Sequence, residues 1–497
     1  MNPIYARFWS IVPPIVAIVS ALFLKEILVS LLIGIFSGAL IFSVISHVEL
    51  IYSLELVFES LIKNLSDTDN AAVIIFTSLL GAVSQIMTDS GGASGYTRWA
   101  QKKLKSSRSS QLSSVFLSFI CSIDDTFLCL MVGNVMRDTM DKHKISRARF
   151  AYILDMLSSQ LPVIMPVSSW AAAIVSCIGS SGLPGMHIFL KSILFNFYSI
   201  FSIVLVIFSS ITGKNFNKIT KFETESRKGN DISAEHSHEQ RQSKKLEGSI
   251  WDLIIPIASL LIGTLFMILK TGGVFSGNVS YNQILENVNF NLSVSIGSLF
   301  AILVSIILFV PRKIKFSKFA QSIGKGIEGM TYINTMLVLA WGLTYVCNSC
   351  LSTGEYIKNV ILSCNIPIYF IPFASFVLST LLSFSIGSSW GTFGILIPIM
   401  SSSVTGLDEK IVSITIAAIL SGSICGVNCT PVSSMGILAS SSARCKHLDH
   451  ISSQIPYALL MFAISSLGFI LAPFVNIVIL YAILIPSLIG SYFILAK

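Results

Sequence analysis

The chain has 497 residues, 53% hydrophobic and only 12% charged, with a formal net charge of +8 and a mean hydropathy of +0.77. Soluble domains carry about 25% charged residues, and a disordered chain needs low hydrophobicity with high charge; both classes are excluded. At roughly 20 apolar residues per crossing, the apolar content suffices for about a dozen helical spans, so the chain reads as an all-α polytopic membrane protein.

In chain order, apolar runs of membrane length fall at about 9–24, 27–46, 71–88, 151–178, 187–212, 250–270, 292–310, 330–347, 411–436, 455–472 and 475–495. The first carries Pro13-Pro14 without a small-x-small cleavage site and reads as a retained span. Two further runs, about 111–136 and 372–400, are broken at their centres by Ser122-Ile-Asp-Asp-Thr-Phe127 and Ser385-Ile-Gly-Ser-Ser-Trp390. Each is expected to form a re-entrant hairpin of two half-length helices, since non-helical backbone at membrane depth survives only where protein or a water-filled cavity satisfies it.

Basic residues lie in short loops, which reads as membrane topology rather than nucleic-acid binding. With the hairpins non-crossing, 27 of the 33 Lys and Arg fall on one side. That bias predicts an outside N-terminus and a cytoplasmic C-terminus. The hydrophilic stretch 213–249 is expected to be a flexible cytoplasmic linker, with His236 and His238 in a solvated tract rather than on a metal.

The halves repeat. A shift of 263 residues lays Ser122-Ile123 on Ser385-Ile386, and a shift of 265 lays Pro166-Val-Ser-Ser169 on Pro431-Val-Ser-Ser434. Four crossings separate the two Pro-containing spans, an even number, so those spans run antiparallel and one hairpin opens inward, the other outward. The expected division is a first membrane repeat 1–212, the linker 213–249, an inverted repeat 250–474 and an extra span 475–497. Paired hairpins and Pro-interrupted helices in an inverted repeat are the pattern of a secondary transporter with its site at the repeat interface.

Asp124, Asp125 and Asp155 lie in or beside apolar runs, where a carboxylate is costly and is by default an ion- or proton-binding candidate. The structural alternatives are helix N-caps for Asp124 and Asp125, and for Asp155 a salt bridge to Arg147 or Arg149. The second tip offers Gly387, Ser388, Ser389 and Thr392. The interrupted helices offer Ser168 and Ser169 in the first half, and Asn428, Thr430, Ser433 and Ser434 in the second. Unwound carbonyls and hydroxyls of this kind suit a hard cation, and exposed amides suit a carboxylate; these ten residues are the substrate-binding candidates. No cofactor and no metal centre is expected. Cys347-x-x-Cys350 lacks a second pair or a His at metal spacing, and Gly324-x-Gly-x-x-Gly329 follows no strand. An intramembrane aspartyl protease would also hold two buried Asp, but no Gly-x-Gly-Asp element is present and the repeat would go unexplained, so an enzyme is not expected. A passive channel is the other alternative, separated by a conductance recording.

Asp124-Asp-Thr-Phe-Leu-Cys-Leu-Met-Val-Gly133 and the run from Asp141 to Asp155 resemble the NhaC-type sodium/proton antiporters of the ion-transporter superfamily. So do Pro166-Val-Ser-Ser-Trp170, Gly387-Ser-Ser-Trp-Gly-Thr-Phe-Gly394 with Pro398, and Cys445-Lys-His-Leu-Asp-His450 leading into Gln454-Ile-Pro-Tyr457. The matches are ordered over residues ~120–460. The resemblance implies a multi-pass ion exchanger of the bacterial inner membrane. Where such proteins usually read Gly-Asp-His, this chain has Gly426-Val427-Asn428, and where they usually carry an Asp it has Ser434. The expected function is a sodium/proton antiporter working by alternating access. The alternative is a sodium- or proton-coupled exchanger of small organic anions or amino acids. Sodium ions, protons and the lipid bilayer are the expected partners, with a small organic anion as the alternative cargo; the sequence leaves room for a homo-oligomer.

Overall fold

The computed structural model describes residues 4–234, 248–276, 288–309, 316–363 and 367–496; His236 and His238 lie outside them. Among these residues ten helices are long and apolar enough to cross a membrane, or up to 12 if each of two bent helix pairs counts as one span. The molecule is a multi-pass membrane protein of the expected class, all helix, with two hairpins and two interrupted helices.

The first hairpin joins Ser107–Ile120 to Asp125–Lys142, and the second joins Ile371–Ile386 to Ser389–Val404. The first broken helix comprises Arg147–Ser158, the short Gln160–Ile164 and Ser169–Gly179, with a bend of 49°. The second comprises Glu409–Cys429 and Ser434–Ala443. Proline sets both interruptions: Pro166 and Pro431 have no N–H to donate, so the chain leaves the helix there. A serine then restarts each helix as its N-cap, Ser168 accepting from Ala171 N (3.0 Å) and Ser433 from Gly436 N (2.9 Å).

Each interruption also contacts a hairpin tip, the two contacts lying one residue out of register with the repeat. Ser169 N donates to Ile123 O at 2.9 Å and Ser434 N to Gly387 O at 3.4 Å, so each interruption is tied to the tip of its own hairpin. Gly387 takes φ +78°, and a Cβ there would lie 2.6 Å from Val432 O. Only glycine fits that approach.

Glu409–Cys429 is the central element; its apolar window is wholly buried, whereas that of the peripheral Ile477–Leu495 is 22% buried. Glycine and serine bring it against the second hairpin. Ser379 Oγ donates to Ile419 O (2.7 Å) and Ser383 Oγ to Gly422 O (3.0 Å). Small residues allow such close backbone approach, and van der Waals packing then holds the helices together in lipid. Large apolar side chains such as Phe23, Phe58, Ile307 and Val478 are exposed around the outside, as a lipid-facing surface requires.

One face gathers the basic loops. Arg98 bonds Gly248 O, Lys142 Nζ bonds Gln101 O, Lys144 Nζ bonds Arg227 O and Arg147 bonds Ala443 O. The stretch expected to be a flexible linker is folded onto this face as far as Ala234. Helix Lys218–Arg227 buries Ile219 and Phe222, and Phe216 stacks on Tyr457 with centroids 3.9 Å apart. Glu223 accepts from Ser146 N (2.7 Å) and Oγ (2.9 Å), Asp231 from Arg147 N (2.7 Å) and Ser233 Oγ from Ala148 N (3.1 Å). These acceptors satisfy the open N–H groups at the start of helix Arg147–Ser158. Lys446 N then donates to Ser233 O (2.9 Å), fastening the same segment to the end of the second broken helix. Overall polarity hid this docking, because three apolar side chains and two carboxylates at chosen places suffice for it.

Candidate functional site at the hairpin tips

The tip of the first hairpin turns at Cys121–Ile123 and restarts with Asp124 as N-cap. Asp124 Oδ1 accepts from Phe127 N at 2.9 Å and Oδ2 from Ser169 Oγ at 3.0 Å. Both carboxylate oxygens therefore hold structure: one caps the returning half-helix and the other binds the first broken helix. Asp125 is held differently. Its Oδ1 accepts from Thr126 N (2.8 Å), while Oδ2 accepts one indole N–H from Trp170 and one from Trp390, each at 3.2 Å. Trp170 comes from the first broken helix and Trp390 from the second hairpin, so one buried carboxylate joins the two halves. Trp170, Trp390 and Phe393 pack mutually, with ring centroids 5.2 to 5.3 Å apart.

At the second tip, Ser388 caps Gly391 N (3.2 Å), Ser389 Oγ donates to Ser423 O (3.0 Å), and Thr392 Oγ1 donates to Ser388 O (2.9 Å). Ser168 donates to Pro162 O (2.7 Å) across the first interruption. Thr430 and Ser433 are buried at the second interruption, and Ser434 beside them is exposed.

Asp155 stands apart from the tips, in a second polar centre. Gln454 Nε2 donates both to Asp155 Oδ2 (2.5 Å) and to Asn428 O (3.0 Å). His450 Nε2 is 3.7 Å from Asp155 Oδ2. Asn428 Oδ1 accepts from Tyr198 OH (3.2 Å), and the Gln160 amide stands 2.8 Å from it. Asp155 Oδ1 is buried with no hydrogen-bond partner among the described residues. Among those residues, no three His, Cys, Asp or Glu side chains could together hold a metal ion.

The alternative of a salt bridge from Asp155 to Arg147 or Arg149 is overturned. Arg147 pairs with Asp141, and the wholly buried Arg149 bonds Gln111 Oε1 (3.0 Å), Ser209 Oγ (2.7 Å) and Ser210 Oγ (3.3 Å). Asp155 lies about two helical turns further along, roughly 9 to 12 Å at 1.5 Å per residue, beyond side-chain reach.

Gln160, Tyr198, His450, Gln454 and the two tryptophans were not among the sequence candidates. Polar side chains inside apolar runs were the signal for Gln160 and Gln454. The tryptophans carried no such signal, because an indole looks apolar until its N–H has a partner.

On the face opposite the basic loops, a cavity of about 550 Å³ is lined by Asp67, Asp69, Asn70, Ser176, Trp341 and Asn348, among others. Ser176 is six residues along the same helix from Trp170, about 9 Å, so one helix carries both a wall of this cavity and a ring of the aromatic cluster.

Comparison with known proteins gives three similar chains and one family match. The solved structure of the Alcanivorax borkumensis YdaH transporter, described as having an unusual topology, is similar at TM-score 0.52 and 15% identity over 85% of this chain and 89% of that one. Neisseria gonorrhoeae MtrF, described as illuminating a class of antimetabolite efflux pumps, overlays at TM-score 0.46 and 14% identity over 84% of each chain. An uncharacterized protein of Haemophilus influenzae is 32% identical over 487 residues, 94% of this chain and 91% of that one. The Na+/H+ antiporter family description matches residues 162–474, a range that runs from the first Pro-set interruption through the second hairpin and the second interruption. With the hairpins, broken helices and buried acids in place, that match makes this chain a member of the Na+/H+ antiporter family.

Proposed function

We propose that the protein is a secondary active antiporter exchanging sodium for protons across the bacterial inner membrane by alternating access. The observation that carries this reading is the Asp125 carboxylate, held by one indole from each half of the molecule. Moving the second hairpin relative to the first broken helix breaks one of those bonds, so the charge on Asp125 and the position of the halves are coupled. A cation entering beside Asp125 competes with the indole N–H groups for the same oxygen. Asp124, with Ser169, steadies the tip, and Asp155 is the acid that takes up and releases the proton.

Residues 1–212 and 250–474 act as the inverted repeats in this reading, with 213–249 joining them and 475–497 as an added span. The basic face is cytoplasmic by its Lys and Arg content, which sets the N-terminus outside and the C-terminus inside. Serine and threonine oxygens of the second half complete the cation shell from Ser388, Ser389, Thr392 and Thr430, and Asn428 links that half to the Asp155 centre. Such neutral ligands bind a hard cation more weakly than carboxylates do. The outer cavity of about 550 Å³ also has room for a small organic solute, which favours exchange of an amino acid or organic anion as the second reading.

Proteoliposomes holding a trapped pH dye test both. An imposed sodium gradient should drive proton flux that Asp125→Asn abolishes. If an organic solute rather than sodium drives the flux, the second reading stands; if neither does, both fall.

A further inference from the structure

We infer that His447, Ser440 and His450 form a proton-binding relay between the basic face of the protein and Asp155. This rests on the reading of Asp155 as the proton-carrying acid. His450 is fully buried and His447 is partly exposed at the start of helix His447–Leu471. Ser440 Oγ stands between them, 3.0 Å from His447 Nδ1 and 2.8 Å from His450 Nδ1. The outer nitrogens are also engaged: His447 Nε2 is 2.7 Å from Pro431 O, and His450 Nε2 is 3.0 Å from Gln454 Oε1.

Counting hydrogens along this chain fixes its charge. A carbonyl only accepts, so His447 Nε2 carries a hydrogen. The Gln454 NH2 group is committed to Asp155 Oδ2 and Asn428 O, so its Oε1 faces His450, and His450 Nε2 carries a hydrogen too. Two neutral rings would then present two bare Nδ1 atoms to a serine that has one hydrogen. The third neighbour of that hydroxyl, Gly436 O at 2.7 Å, is a helix carbonyl that adds only another acceptor. One ring would be left with its Nδ1 lone pair aimed at an oxygen. A single extra proton removes the conflict between the rings: one ring becomes an imidazolium and donates to Oγ, while the hydroxyl turns its hydrogen away from Gly436 O, which keeps its own helix N–H, and donates to the other ring.

The same geometry lets the proton move. The Nδ1–H bond of the charged ring breaks as its proton passes to Oγ; the hydrogen already on Oγ passes to the other Nδ1, and the charge has crossed. The final step is from His450 Nε2 to Asp155 Oδ2, which needs the present 3.7 Å separation to close by about 1 Å to hydrogen-bond range. It leaves a neutral acid and a neutral ring. Asp155 is the carboxylate within 4 Å of the pair among the described residues. The other charged groups on the surrounding elements are engaged elsewhere: Arg137 with Ser442 O, Arg147 with Asp141, Arg149 with Gln111 and two serines, Glu223 with Ser146, and Lys446 Nζ with Ile232 O. Asp449 lies on the pair's own helix, and Arg444 in the turn before it.

The test has two arms. Nitrogen-15 spectra of the full chain labelled at its seven histidines, assigned with His447→Gln and His450→Gln, should show one doubly protonated ring within this pair at pH 7. Two neutral rings from pH 6 to 8 overturn the relay, whatever the transport result. In proteoliposomes, Ser440→Ala should slow proton-coupled flux tenfold or more, and Ser440→Thr, which keeps a hydroxyl, should restore it. His447→Gln should displace the pH profile. If wild-type protein couples protons and all three variants match it in rate and profile, the relay is wrong while the antiport reading stands. If wild-type protein moves no protons, that reading fails, and the spectra still decide the proton count.

Discussion

Replacing Trp390 by Phe removes one N–H from the Asp125 carboxylate and keeps a ring in the cluster with Trp170 and Phe393. A hydrogen bond to a charged group contributes about 1.5–3 kcal/mol, and the 3.2 Å length puts this one at the weak end, about 1.5 kcal/mol. Closing the second hairpin over the first tip should therefore become less favourable by roughly a factor of ten. Thr392 is fully buried, two residues beyond Trp390. A cysteine placed there, in a background with the native cysteines replaced, reacts with a membrane-impermeant thiol reagent only in the opened population. Its labelling rate should rise about tenfold in Trp390→Phe, since the rate follows that population. The gain from ring shrinkage alone is separated by repeating the comparison with Asp125→Asn, where the charged bond is already lost and the effect should fall to about threefold or less. Trp170→Phe, at the same 3.2 Å, should behave alike. An unchanged rate, or an equal increase in both backgrounds, refutes the clasp.

Asp155→Asn should alter the pH dependence of transport, whereas Asn428→Ala should weaken apparent affinity and leave the pH profile in place; flux measured across pH 6 to 9 checks both, and the reverse pattern would exchange their roles. Gly387→Ala puts a Cβ 2.6 Å from Val432 O on a residue at φ +78°, a conformation that alone costs a non-glycine about 1–2 kcal/mol. It should lower thermal stability in detergent and reduce flux, while Gly324→Ala, where a Cβ meets nothing within 4 Å, should do neither. Burial pushes the Glu223 carboxyl above the ordinary glutamate range, against the hydrogen bonds from Ser146. A raised folded-state value stabilises docking fully below the unfolded value of about 4.3 and loses that contribution as pH rises through the folded value. A spin label at the exposed Thr224 should therefore become more mobile from pH 5 to pH 8, and Glu223→Gln should flatten the change.

The spans, hairpins and interruptions were legible because each is a local pattern: an apolar run, a polar tip within it, a proline followed by serines. Asp124 and Asp125 stood out for the same reason, as charges with no local cation. The partners of those acids were not legible. Trp390 reaches Asp125 across 265 residues and Gln454 reaches Asp155 across 299, and no periodicity within one segment encodes such a meeting. The nearly equal shifts of 263 and 265 residues pair the tips and the interruptions, yet the symmetry they imply is broken at the centre. Asp124 aligns with Gly387 and Asp125 with Ser388, so the acids belong to one half and the glycine turn to the other. The salt-bridge alternative for Asp155 fails on distance along a helix, roughly 9 to 12 Å from the two arginines at 1.5 Å per residue.

The segment from Phe216 to Ala234 is continuous in the chain with the first half of the molecule, yet it bonds Lys446 of the second half. It therefore acts as a built-in dowel between the halves, independent of the peptide bonds downstream of it. A gene split between codons 235 and 247 leaves the dowel on the N-terminal fragment, and the two polypeptides, co-expressed, should find one another and assemble. A split before Phe216 moves the dowel to the other fragment, away from the helix start it caps, and co-expression should then recover far less protein.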